Sequence, residues 1–406
     1  MANNWQNLDK VTPIIHKNLD NNLILAKSVD RRYDSMYAQS GAQSGDTIRV
    51  RYPNAAGAAT DGRVAISTED LSDFSKSITL DYLKSPLALV TGKQLKLEVE
   101  DFEAQVLAPL GIQLANGIEM KIANLFSKVP ISVGTPGVAP TSIKPFNLAK
   151  ARLMLEGCTE LNNLKAAIHP MVEPEIIAGL SGLFNAQSEL TKQFNTGNIG
   201  FASGMSFSST QLMPSHACGS YGGTPLVNDT VVEGDAVIST DGWSSGASAL
   251  KAGDVISFAG VYAVNPVTHQ ATTNLKQFVV KADVADTTGA MDIQVSPAFS
   301  LIGVDAVSAL PVNDAKVFVY GKDNGLAAGT VSNLSLVYHK DAFVLGTAAL
   351  PEMSGVQCKR WTHPKLNIPF RVMMDTNIYN DAMVIRLDTM VGAIIGRDNW
   401  ACRIEG

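Results

Sequence analysis

The side chains in this sequence that could support chemistry are four cysteines, six histidines, a group of early arginines and a set of acids. Cys158, Cys218, Cys358 and Cys402 lie far apart with no CxxC pair, which predicts free thiols in a reducing compartment. His16, His169, His216, His269, His339 and His363 are scattered without metal-like spacing. His169 and His363 each precede a proline and suit loop caps. His216 and Cys218 are near neighbours, but an i, i+2 pair does not by itself orient a base on a thiol. Arg31, Arg32, Arg49, Arg51 and Arg63 gather in the first part of the chain. Their plain reading is solvated faces and salt bridges to neighbours; the sharper one is contact with a polyanion or an acidic partner chain. The acids of residues 222–330 lack the DxDxDG spacing of a calcium loop. Walker A, GxGxxG, GxSxG and HExxH patterns are also missing. The sequence therefore assigns no catalytic, cofactor-binding or metal-ligating residue. It predicts no cofactor and no enzyme.

Composition narrows the class further. The 406 residues suffice for two or three domains and a full core without staples. Charged residues make up only 17% and hydrophobic ones 46%, the balance of a chain that hides surface in its own core or against copies of itself. The net charge is −6, contrary to the basic excess of a tight nucleic-acid binder. The start, MANNWQNLDK, lacks a basic region followed by an apolar run, and the apolar stretch 382–395 is broken by Arg386 and Asp388. The expectation is a protein made in a cytoplasm with no secretory signal and no membrane span.

The elements that would position these residues follow from periodicity. Residues 1–45 read as an arm, ending in the polar, Gly-rich stretch 39–45. Residues 46–90 read as a long hairpin, with alternating strands Asp46–Tyr52 and Ser77–Leu83 and the apolar run Leu87–Val90. Its tip, Pro53 to Lys76, is long for a compact domain and suits contact with a partner. Thr91-Gly-Lys-Gln94 has capping-box spacing. Apolar residues then recur every three or four positions from Leu95 to Leu125, which predicts a long spine helix interrupted at Pro109 and Gly111. Further helices are expected over Phe146–Glu156, stopped by Gly157, and over Val172–Leu180, with a strand at Ala166–Ile168.

Residues 222–330 differ in composition. They carry eleven acids, five lysines and no arginine, so their net charge of −6 equals that of the whole chain. Short apolar or alternating runs begin at Val231, Ala236, Val255, Gln277, Met291 and Lys316, separated by turn residues. They predict a small β-barrel or sandwich. Strand-like runs flank it, Met205–Ser208 before and Leu334–Tyr338 after, as an inserted module would be flanked. Alternation resumes in the tail at Pro369–Met374 and Ala382–Leu387, the latter followed by Met390–Ile395.

This order of parts resembles the major capsid (coat) proteins of tailed bacteriophages, most closely the short-tailed phage subgroup with an insertion domain. The resemblance is carried by the arm, the hairpin and the spine helix Gln94–Phe126. It is carried also by the glycine-punctuated Thr196–Ser208 ending at Leu212-Met-Pro214, by Lys251–Val261, and by Val331–Met353 with Tyr338–Val344. It implies an α+β capsid fold: N-terminal arm (1–45), extended hairpin loop (46–90), spine helix and peripheral domain (91–146), central axial domain with returning peripheral strands (147–221 and 331–406), and an inserted β-barrel (222–330). It implies a subunit that assembles with itself into the pentamers and hexamers of an icosahedral head. That head would enclose double-stranded DNA without sequence-specific binding, through a scaffolded precursor shell that matures by conformational change. A scaffolding protein, a portal and a decoration protein are the implied partners, and the virion is the implied location. Some relatives cross-link a hairpin lysine to a neighbour's asparagine; Lys76 and Lys84 lie in that region, but no partner or catalytic acid marks them. Another virion structural protein, a tail tube or a surface adhesin, is the alternative. A hydrolase with a β-rich accessory domain has no motif behind it.

Overall fold

The computed structural model describes residues 23–31, 47–52, 74–91, 107–180, 199–246, 249–322, 326–353, 355–364, 366–377 and 381–406. The first 22 residues, the hairpin tip 53–73, the expected helix start 92–106 and the polar stretch 181–198 lie outside them. The chain forms two compact units. The first is Met1–Val50, Ser75–Ala123 and Phe343–Ile394; the second is Arg51–Phe74, Asn124–Ala342 and Ile395–Gly406.

In the first unit, β1 (Thr47–Tyr52) pairs with β2 (Phe74–Thr79). Alternation does its expected work: Ile48 and Val50 are buried while Arg49 and Arg51 are exposed. The expected single strand Ser77–Leu83 is corrected, because the chain breaks at Leu80. After the break, β3 (Asp81–Lys84) and β4 (Ala88–Thr91) both pair with β22 (Ala382–Ile395). The end of β2 passes close to residue 392. A Cβ there would collide with the Thr79 carbonyl, so only glycine lets the end of β2 approach β22 this closely. The two tail runs Ala382–Leu387 and Met390–Ile395 merge into the one long β22, and Arg386 and Asp388 do not interrupt it. β22 is flanked by β19 (Phe343–Ala348) and β21 (Pro369–Asn377), and β20 (Gln357–Thr362) forms an edge beyond β21.

Two short helices of this unit matter below. α1 (Leu25–Ser28) is one turn, and α2 (Ala108–Ala123) is the described part of the expected spine. Leu110, Leu114, Ile118 and Ile122 are buried at the predicted spacing. The described part of the helix opens at Ala108, with Pro109 as its second residue. Gly111, expected to interrupt the helix, lies in an unbroken run of it.

The second unit is built on a mixed sheet ordered β5-β23-β18-β6-β8-β7, with β9 also on β18. Its centre is β18 (Val331–His339), paired antiparallel with β23 (Ala401–Glu405), β6 (Leu164–Ile168) and β9 (Ser215–Ala217). β5 (Ser132–Gly134) runs parallel to β23, and β8 (Met205–Ser209) parallel to β6 with β7 (Phe201–Ala202) outside it. α3 (Lys144–Leu155) buries Phe146, Ala149 and Leu153. Leu148 and Leu155 of the same helix are exposed. Gly157 ends the helix with φ +86°, as its position predicted. α4 (Glu173–Leu180) matches the expected second helix.

Between β9 and β18 lies the acidic module, with six strands ordered β10-β11-β16-β14-β13-β17. They are β10 (Gly223–Val227), β11 (Val237–Trp243), β13 (Val255–Val264), β14 (Ala271–Val280), β16 (Met291–Ser296) and β17 (Val317–Val319). The sheet curls until its ends meet: Leu226 bridges Lys316, and Val227 N–H donates to Ala315 O at 2.9 Å. Inside, Phe258, Phe278 and Phe299 meet with ring centroids 4.7–5.6 Å apart among Ile238, Ile293 and Val295. Val231-Val232, expected as a strand, is a turn whose Val232 N–H is taken by Asp235. Two-residue β12 (Ala249–Leu250) and β15 (Val284–Ala285) pair beside the module.

Candidate functional site

The closed module is seated on the central sheet by side chains from both, and this seat is the best-built polar site of the second unit. Arg403, on the last strand, is fully buried. It donates to Gly253 O at 2.6 Å and Ser127 O at 3.1 Å, and lies 3.0 Å from Glu405. Glu405 in turn accepts from Ser132 Oγ at 2.8 Å. Gln277 of β14 behaves as a strand neighbour would: its Oε1 accepts from Ser132 N–H at 2.9 Å and its Nε2 donates to Ser132 O at 3.1 Å. Tyr320 donates its hydroxyl to Gly134 O at 2.7 Å.

Beside these lies a buried ion group. Lys276 Nζ is 3.5 Å from Glu156 and 3.4 Å from Asp305, and Arg152 is 3.4 Å from Glu156. Burial alone would drive the lysine toward neutrality, yet the two carboxylates hold its pKa above the ordinary value. A charged lysine inside an apolar joint is tolerable only in that company.

The residues singled out in the sequence fall mostly into structural roles. His216 does not face Cys218. Its Nε2 lies 2.8 Å from Asp254, which also accepts the N–H groups of Lys251 and Gly219, so the histidine closes a turn at the foot of β13. The Cys218 thiol donates to Ala327 O, and burial pushes its pKa up, the reverse of an activated nucleophile. Burial also raises Cys158 to about 11, and Cys402 well above its ordinary value. All four cysteines are free thiols. His169, His339 and His363 each accept a backbone N–H two or three residues on, the capping role expected of His169 and His363. Acids of the module cap its turns: Asp283 accepts from Ala252 N–H, and Asp286 from Gly246 and Gly289 N–H. Among the described residues no group of three His, Cys, Asp or Glu is arranged to hold a metal. Arg31 donates to Leu366 O, and Lys84 lies over the Tyr82 ring. His16, Arg32 and Arg63 lie outside the described residues.

The first unit has its own buried charge. Asp388 of β22 is wholly buried and accepts from Tyr82, Arg371 and Arg386 at 2.5, 2.8 and 3.0 Å. Burial pushes this carboxyl upward, but the three hydrogen bonds outweigh it and hold it below the ordinary range. The sequence reading singled out neither this cluster nor the seat. The available signal was a charged residue inside an apolar strand, Lys276 within LKQFVV and Arg403 within ACRIE.

Comparison with known proteins now bears on this architecture. The model of a family described as P22 coat protein, gene protein 5, matches residues 177–399. That is more than half of the chain, including the whole inserted module and the strands on either side of it. The chain belongs to the P22 coat protein family. Membership makes it a major capsid protein, a structural component of a tailed-phage virion. Solved structures similar to the chain include one from Mycobacterium phage Che8 (9% identity, 94% of this chain and 90% of that one, TM-score 0.46). The capsid of Ralstonia phage GP4 is another (8%, 93% and 86%, 0.46). A third is a virus-like particle from Pyrococcus furiosus (8%, 98% and 98%, 0.41). No curated protein matches the chain. Among the described residues no helix is long and apolar enough to cross a membrane.

Proposed function

We propose that this coat subunit closes into pentamers and hexamers of an icosahedral head around double-stranded DNA, first as a scaffolded precursor shell that matures by conformational change. The carrying observation is the family match across 177–399, which spans the inserted module and most of the strands that return to the first unit. The parts take the roles their order suggests. Residues 1–45 act as an arm and 46–90 as an extended hairpin laid on neighbours. Residues 91–146 act as spine and peripheral domain, 147–221 with 331–406 as the axial domain, and 222–330 as a brace inserted within it. Edge strand β20, beyond β21, is the side of that sheet on which a sibling is laid. Many modest contacts per subunit then add by multivalency, and closed symmetry ends growth. A scaffolding protein, a portal and a decoration protein are the partners this reading calls for. Synthesis in the host cytoplasm fits the free thiols. Catalysis has no part in it.

The test is electron microscopy of the purified protein with and without a scaffolding partner. Closed shells of uniform size are expected. Tubes of stacked rings, or a monomer that ignores its own kind at high concentration, would overturn the reading.

A further inference from the structure

α1, the one-turn helix of the N-terminal segment, has no cap of its own: Ile24 precedes it and makes no side-chain hydrogen bond. Its first amides are satisfied from a distance. Leu25 N–H donates to Glu119 Oε2 at 2.7 Å, and Ala26 N–H to Glu119 Oε1 at 2.8 Å. Glu119 lies in the middle of α2 and is wholly buried, a costly place for a carboxylate with no buried cation beside it. Arg31, at the end of the segment, donates to Leu366 O at 2.7 Å. Leu23, Leu25, Ala26 and Val29 are buried against the unit, and the segment's end joins β19 by hydrogen bonds of Asp30 to Phe343 and Leu345. Beneath Leu23 is a void of about 10 Å³, lined also by Leu114, Ile118, His363 and Thr389.

We propose that Glu119 is a proton-operated latch, whose ionisation sets how firmly residues 23–31 are held on α2. The inference does not depend on the shell-building reading, since it concerns a single subunit. Burial pushes the Glu119 carboxyl up to about 7, against the lowering effect of the amides it accepts and of Lys27. Its value in the docked state therefore exceeds the ordinary carboxylate value it regains when the segment lifts and water enters. By linkage, a proton favours the docked state. Docking is tightest in mild acid, weakens as pH rises toward about 7, and levels off above it. The other charged groups nearby are few. Lys27, Asp30 and Arg31 lie on the segment, Lys121 on α2 is engaged by Asp81, and His363 lines the same void.

The experiment is hydrogen exchange of the peptides covering residues 24–31 in the full-length subunit, from pH 5.5 to 8.5, corrected for intrinsic rates. Wild-type protection is expected to fall by up to about tenfold per pH unit below the midpoint and to flatten above it. Glu119→Gln, uncharged throughout, is expected to abolish the slope. Lys27→Glu, an exposed change that leaves the core intact, is expected to move the midpoint to higher pH. A pH-independent wild type, a slope that persists in Glu119→Gln, or a midpoint unmoved by Lys27→Glu would each overturn the latch and assign the effect to another group.

Discussion

At the residue scale the molecule buries charge where it needs orientation. Lys276, Glu156 and Asp305 fix the inserted module on its seat, and removing one member strands the others in an apolar joint. Lys276→Met is expected to cost about 3 kcal/mol in urea unfolding, and adding Glu156→Gln should recover much of it. Equal losses in the single and double variants would mean that packing, not charge, holds the joint. Asp388 and Glu119 respond to acid in opposite senses. Asp388 is held below its ordinary value by Tyr82, Arg371 and Arg386, so its contribution is fully present above that value and is lost as pH falls through the folded one. Asp388→Asn should therefore flatten the acid limb of the stability curve and lower the plateau. An unchanged acid limb would show that other carboxylates dominate it.

At the element scale the decisive features are joints rather than strands. β22 serves four partners along its length, with β19 and β21 beside it and β3 and β4 sharing an edge, and the close pass at Gly392 lets β2 end beside it. Gly392→Ala is expected to destabilise the first unit by about 1–3 kcal/mol, since the added methyl meets backbone that has no rotamer to yield. Calorimetry that resolves the two units would check it, and an unshifted transition would mean that β2 moves aside freely. The strands were largely legible beforehand, as β13, β14, β16 and β22 carry alternation or long apolar runs. The break at Leu80 was not, because alternation continues across it. β20 was missed for the opposite reason: QCKRWT is polar and half exposed, so an edge strand leaves little pattern.

At the scale of the whole molecule, the subunit's business lies beyond its own body. Removing residues 54–73, between β1 and β2, is expected to leave circular dichroism and unfolding of the monomer close to wild type while reducing closed shells severely. Normal shells in electron micrographs of that deletion would show that the hairpin tip is dispensable. The acidic module is locally self-sufficient, with a closed sheet, its own aromatic core and turns capped by its own acids. In the sequence it is marked by composition, as a stretch free of arginine between two strand-like runs.

The sequence by itself determined the alternation of strands, the spacing of the spine helix, the stop at Gly157, the acidic insertion and the lack of a catalytic motif. Each of these is a local pattern, and local periodicity and turn chemistry survive in one dimension. Tertiary structure alone decided that Glu119 caps a helix 94 residues away, that Arg403 reaches Gly253 and Ser127, and that Gly392 admits β2. Such pairings depend on which distant backbone groups are left without partners after the chain has folded, and no property of either residue's own neighbourhood announces them.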